Sequence, residues 1–200
     1  MKVIGITGGV GAGKSTVLSL LEKHFNAYVI QADMVAKETM MKGERGFLQV
    51  VDMFGEEILD VTGEIDRRRL AEIIFANPNK RMVLNSLIHP LVKRIILEKI
   101  NELRIQGLYD YVFVEAALLI EDHYQVICDE LWFIYVPQEI RRERLKISRG
   151  YSDEKISEIF ASQLSDDAFR KACEQEIDNS GAEENTLIQL KKILGRNFHG

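Results

Sequence analysis

Residues 8–15 read Gly8-Gly9-Val10-Gly11-Ala12-Gly13-Lys14-Ser15, and they fit the pattern G-x-x-x-x-G-K-[ST] position by position. Just before this stretch, Val3 to Thr7 is a short β-branched run. Just after it, Ser15 to Phe25 carries Val17, Leu18, Leu21 and Phe25 at helical spacing. Strand, glycine loop and helix form the context in which such a loop acquires its chemistry. The glycines let backbone N–H groups turn inward around a phosphate chain, and the helix N-terminus adds positive potential. Lys14 is placed to reach the outer phosphates and Ser15 to offer a hydroxyl to magnesium. A plain tight turn would explain the glycines but neither Lys14 nor Ser15.

Working outward, Tyr28 to Ile30 reads as a second strand that ends just before Ala32 and Asp33, and Met34 to Met41 resumes a helical pattern. That order makes a β-α-β unit. Tyr111 to Glu115 and Leu131 to Val136 are apolar without strict alternation, as strands buried on both faces are. Glu176 to Asp178 reads as a fifth strand, followed by a turn at Asn179, Ser180 and Gly181 and a helix over Glu183 to Leu194. The tail from Gly195 is expected to fray. Gly43 to Gly107 is far longer than a crossover and reads as a helical insert, with Leu91, Ile95, Leu97 and Ile100 in register. Within it, His89-Pro90 is expected to stop one helical stretch and start another. A helix over Gln138 to Ser148 and a second over Asp153 to Leu164 make a hairpin that could act as a mobile flap.

The 200 residues suit one large domain that buries a sizeable core. With 46% apolar and 28% charged residues, disordered and low-complexity classes are excluded. A net charge of −5 and a pI near 5.5 give no global field for collecting nucleic acid or anionic lipid, so neither is expected as a partner. Cys128 and Cys173 lack the spacing of a zinc site or a disulfide framework and are expected as reduced, partly buried thiols. Glu115 interrupts the longest apolar run, Tyr111 to Ile120, which is too short for a membrane span. Glycines at 5, 8, 9, 11 and 13 spoil any resemblance of the N-terminus to a secretory signal, so the chain is read as cytoplasmic.

A phosphate cradle identifies a donor and leaves the reaction open. Asp60-Val61-Thr62-Gly63 satisfies the D-x-x-G of a nucleotide switch but lies in a charged turn of the insert, and no N-K-x-D follows. Asp33 stands past the carboxyl end of the second strand, where ligands of open α/β sheets sit. There it could accept a hydroxyl proton or help hold magnesium, or simply cap the helix that begins at Met34. Arg141, Arg142, Arg144 and Arg149 cluster on the flap. Arg141 and Arg144 share a helical face and Arg142 points away as a solvated charge, while Arg149 precedes Gly150 where a cation suits the helix end. At least one of them is expected to meet phosphate charge. Glu115 breaks a buried strand and must find a partner or face a ligand, with Glu121 the alternative; His89, alone, reads as structural.

Together these stretches resemble dephospho-CoA kinases over nearly the whole chain. The resemblance is carried by Gly5 to Thr16, Ala32-Asp33, Gly63-Glu64-Ile65-Asp66-Arg67 with Leu70, His89-Pro90, Glu115 to Glu121, Gln163 and Ile177-Asp178-Asn179-Ser180-Gly181. It implies an α/β, three-layer P-loop kinase core with a five-stranded parallel sheet, comprising 1–42, 108–137 and 166–200. It further implies a helical insert binding the CoA substrate (43–107) and a helical lid (138–165). ATP with Mg2+ would be the donor, bound by Gly9, Val10, Gly11, Ala12, Gly13, Lys14, Ser15, Thr16, Arg149 and Asn179, with Ser15 on the metal. The ribose 3′-hydroxyl of dephospho-CoA would be the acceptor, met by Asp33, Arg67, His89, Glu115 and Leu118. The catalytic set would be Asp33 as base, Lys14 and Arg144. Two departures stand out: Ala117 replaces a usual proline, and Arg144 and Arg149 lie five apart where the family usually has four.

Overall fold

In the computed structural model, which describes residues 1–195, the strand that opens the reading is β1, Lys2–Thr7, followed by α1, Lys14–His24. Then come β2 (Ala27–Gln31), β3 (Tyr111–Glu115), β4 (Glu130–Tyr135) and β5 (Gln175–Asp178). They form one five-stranded sheet in the order β2-β3-β1-β4-β5, and β1 pairs in parallel with both β3 and β4, as β4 does with β5. The α/β sheet expected from the sequence is present. Period-two alternation sends Ile4, Ile6, Tyr111, Phe113, Trp132, Ile134 and Ile177 to one face, where they pack with Leu18 and Leu21 of α1 and with Leu190 and Leu194. Those last two belong to α9, Glu183–Leu194. Phe133 points to the other face and stacks on Phe169 with ring centroids 4.9 Å apart. Burial on both faces is why these strands read as unbroken apolar runs.

Beyond β4, the chain forms α6 (Gln138–Arg149), α7 (Asp153–Ala161) and α8 (Asp166–Ala172). Gly150, at φ 62°, ends α6 in the left-handed region, and the Ser152 and Ser165 side chains accept backbone N–H bonds that cap α7 and α8. The expected hairpin is there. Arg142, expected as a solvated charge, instead ties its two arms together: it donates to Asp153 Oδ1 at 2.9 Å and to Ser157 Oγ at 3.1 Å. Lys146 also meets Asp153 at 3.0 Å, and hydrogen bonds from Lys146 and then Arg142 hold the Asp153 carboxyl below its ordinary pKa.

The described chain divides into two compact units, Met1–Val29 with the chain from Gly107 onward, and Ile30–Gln106. The second unit is helical: α2 (Ala32–Thr39), α3 (Arg45–Phe54), α4 (Arg67–Ala76) and α5 (Pro78–Gln106). Asp60-Val61-Thr62-Gly63 is a turn, with Asp60 Oδ1 accepting from the Thr62 N–H at 2.8 Å. One expectation fails here. His89-Pro90 does not divide two helices; Pro90 lies inside the continuous α5. A proline in a helix interior costs about 3 kcal/mol. The stripe Leu84, Ile88, Leu91, Val92, Ile96, Ile100 and Leu103 is buried straight through that point, and at roughly 1.5–3 kcal/mol per buried side chain it outweighs the proline. The tail expected to fray lies, from residue 196, outside the described residues.

Candidate functional site

The parallel register brings the carboxyl ends of β1, β3, β4 and β5 to one edge, so the glycine loop after Thr7 gathers the segments that follow the other strands. Glu115, last residue of β3, sits beside Ile6, and its carboxylate lies 3.8 Å from Lys14 Nζ with both side chains largely buried. Lys14 Nζ also donates to the Gly8 carbonyl at 2.9 Å, folding its stem back over the loop. The charge that interrupted an apolar strand therefore has a cationic partner.

On the β5 side, Asn179 is 5% exposed and acts as a strut behind the loop. Its Nδ2 donates to the Ala12 carbonyl at 2.8 Å and its Oδ1 accepts from Thr186 Oγ1 at 2.9 Å. Gly13 has φ 75°, and a Cβ there would meet Asn179 Nδ2 at 2.5 Å, so the approach of strut to loop requires glycine. Arg144 donates to the Asn179 carbonyl at 2.9 Å, and its guanidinium comes within 3.6 Å of that same Cβ position.

On α6, Arg141 is only 7% exposed. Its guanidinium lies against Gly9 so closely that any Cβ would collide with it. It pairs with Asp166 at 3.4 Å and lies over the Phe160 ring at 4.9 Å. Its Nε is buried without a hydrogen-bond partner among the described residues, an unsatisfied donor. Gln163 Oε1 accepts the Val10 N–H at 3.2 Å. A backbone cradle flanked by one lysine and two arginines is an arrangement for polyphosphate.

The family model for dephospho-CoA kinase matches residues 2–185. This chain belongs to the dephospho-CoA kinase family. A relative of that name from Enterococcus faecalis is 37% identical over 193 residues, which span 96% of each chain. Another, from Carboxydothermus hydrogenoformans, is 38% identical over 97% of this chain and 93% of its own. The solved structure of TT1252 from Thermus thermophilus aligns with a TM-score of 0.80 at 29% identity, covering 98% of this chain and 97% of that one.

Of the residues assigned through the family resemblance, the loop residues Gly9 to Thr16, Glu115, Arg144 and Asn179 come together. Arg149 stands at the far end of α6, its guanidinium 5.8 Å from the Tyr151 ring. Leu118 is 43% exposed on the turn after β3. Asp33, Arg67 and His89 belong to the helical unit. Asp33 is the second residue of α2 and exposed. Gln31 occupies the N-cap position, so the capping alternative weighed for Asp33 fails. Arg67 opens α4 and His89 is half-buried within α5. Two residues at the loop were missing from the sequence assignments: Arg141, whose shared face with Arg144 was the available signal, and Gln163, noted only as part of the resemblance.

Proposed function

We propose that this chain transfers the γ-phosphoryl group of ATP to the ribose 3′-hydroxyl of dephospho-CoA, giving coenzyme A and ADP, the last step of coenzyme A synthesis. The observation that carries the reading is the phosphate loop held between the Lys14–Glu115 pair and the two arginines of α6, in a chain matched to this kinase family over nearly its whole length. The loop amides and Lys14 bind the β- and γ-phosphates. Arg144 and Arg141 meet the charge that spreads over the transferred oxygens, which planar guanidinium donors suit. The buried Nε of Arg141 gains an acceptor there. Asn179 acts on the nucleotide through the loop it supports, and Arg149 supplies further positive charge along α6. Asp33 takes the proton from the 3′-hydroxyl as the new P–O bond forms and the bond to ADP breaks. Its place just past the end of β2 supports this role.

A divalent cation accompanies ATP in such sites. The donor set present suits Mg2+: the exposed Ser15 hydroxyl is a hard oxygen ligand, and phosphate oxygens and water complete the shell that this ion prefers. No group of three or more His, Cys, Asp or Glu side chains among the described residues could hold a metal by itself. When bound, the ion neutralises phosphate charge. No helix among the described residues is long and apolar enough to cross a membrane, and we place the reaction in the cytoplasm, where the free thiols of Cys128 and Cys173 suit a reducing milieu.

Coupled ADP release with ATP, Mg2+ and a panel of acceptors tests the reading. Dephospho-CoA should drive turnover while shikimate, sugars and nucleosides do not. Acceptor-independent ADP release, or a preference for another alcohol, would overturn it.

A further inference from the structure

The Gly9–Val10 peptide of the phosphate loop is held on both of its polar sides. Its carbonyl accepts the Ala12 N–H at 3.1 Å, closing the first turn of the loop, and its N–H, that of Val10, donates to Gln163 Oε1 at 3.2 Å. In a planar trans peptide these two groups point in opposite directions, so an acceptor outside the loop fixes which way the carbonyl inside it points. The flanking Gly8 and Gly11, at φ 148° and 84°, supply little stiffness of their own. Gln163 belongs to the short connection between α7 and α8, and that connection also braces Arg141. Phe160 lies against the guanidinium, 4.9 Å from ring centroid to Cζ, and Asp166 pairs with it at 3.4 Å. A Cβ on Gly9 would stand 3.4 Å from Gln163 Oε1 and would collide with Arg141. Phe160, Gln163 and Asp166, at three-residue steps, therefore converge on one peptide of the loop and the arginine beside it. With Arg141 they also line a cavity of about 450 Å³, and Gln163 is half-buried there. Its carboxamide does not fill a core; what it gives the loop is orientation.

We infer that Gln163 is a positioning residue for phosphoryl transfer, an inference that rests on the proposed reaction. By taking the Val10 N–H it holds the loop peptide under Arg141 in one orientation, and the connection that carries it holds the Arg141 guanidinium over that peptide. Cradle and arginine are thus set relative to each other by one segment before ATP arrives. Gln163 acts through Val10 and contacts no reacting atom. Without it the loop and its phosphates sample other placements beneath Arg141, and a misplacement of about 1 Å can cost up to about 10²-fold in rate.

Gln163→Met keeps the length of the side chain and removes the acceptor oxygen. Steady-state kinetics should show kcat lowered about 10- to 100-fold, with KM for dephospho-CoA unchanged and Tm lowered by only about 2–4 °C, as for one half-buried hydrogen bond. Hydrogen exchange at the Val10 amide, followed by NMR on the ligand-free protein, should be protected in the parent and accelerated in Gln163→Met. Gln163→Glu keeps an acceptor oxygen at the same reach and should keep Val10 protected. Ser165→Ala is the structural comparison: it removes the α8 cap, whose hydroxyl accepts the Ala168 N–H at 3.2 Å, and should cost similar stability with kcat retained. An unchanged kcat in Gln163→Met would overturn the proposal, as would an equal loss of kcat in Ser165→Ala, which would assign the effect to folding of the segment. Loss of Val10 protection in Gln163→Glu, or its persistence in Gln163→Met, would also overturn it. The two readings fail separately: a parent that does not turn over dephospho-CoA dismisses the proposed reaction, while exchange at Val10 still decides whether Gln163 holds the loop.

Discussion

Replacing Asn179 by Ala probes the strut that holds the phosphate loop to the sheet. The amide makes one short bond to the Ala12 carbonyl, 2.8 Å, and takes one from Thr186 Oγ1, 2.9 Å. Ala12 is 1% exposed and Thr186 is fully buried, so water cannot readily replace either partner. A buried polar group left without its bond costs about 1–3 kcal/mol, and two such groups make the loss about 2–6 kcal/mol. For a chain of this size each kcal/mol moves Tm by about 2–4 °C, which puts the fall near 10 °C. Arg144 anchors on the Asn179 backbone carbonyl, which the substitution keeps, so the contact from α6 should survive while the loop loosens. The assay is thermal unfolding followed by circular dichroism, with KM for ATP measured on the folded variant and expected to rise. Thr186→Val should cost about half as much, and the double variant less than the sum, since both remove the same bond. A Tm within about 2 °C of the parent and an unchanged KM for ATP would refute the reasoning.

Lys14→Ala should lower kcat by about 10²–10³; adding Glu115→Gln, which removes the carboxylate left behind, should recover thermal stability without recovering turnover, and recovered turnover would contradict the phosphate role. Single Ala variants along α6 should separate in kcat: Arg144 and Arg141 losing about 10³ if they meet the transferred charge, Arg149 less, and Arg142 acting on hairpin stability instead; equal losses at all four would indicate a diffuse patch. Burial pushes the Cys128 and Cys173 thiols up to about 12. Since the folded pKa is raised, the stability these thiols contribute is complete below the unfolded value of about 9 and is lost as pH climbs toward 12. Iodoacetamide at pH 8 should therefore modify the native chain far more slowly than the urea-unfolded chain, and equal rates would contradict the burial.

The phosphate loop was legible because its signal is local: eight consecutive residues, a strand before and a helix after. Strands such as Tyr111–Glu115 were legible because burial on both faces leaves a mark in composition. What escaped depends on distance in the chain. Nothing near Asn179 announces that its amide reaches Ala12, 167 residues away, and Arg141 looks like any other basic residue of α6 until Gly9 and Phe160 are packed around it. Pro90 misled because its local cost is visible in the sequence, whereas the buried stripe that outweighs it becomes visible only once α5 has neighbours. Asp33 shows a milder version of the same effect: Asp before an apolar helical run reads as a cap, yet the helix starts two residues sooner than that run suggests.

The central claim concerns which bond is made, so the product is the most direct witness. Incubating the chain with dephospho-CoA, ATP and Mg2+ and locating the new phosphate by phosphorus–proton correlated NMR should show one new phosphomonoester coupled to the ribose 3′ proton, accumulating in step with ADP. Phosphate on the 2′ position, on the pantetheine arm, or released as inorganic phosphate while dephospho-CoA stays unchanged would contradict the account.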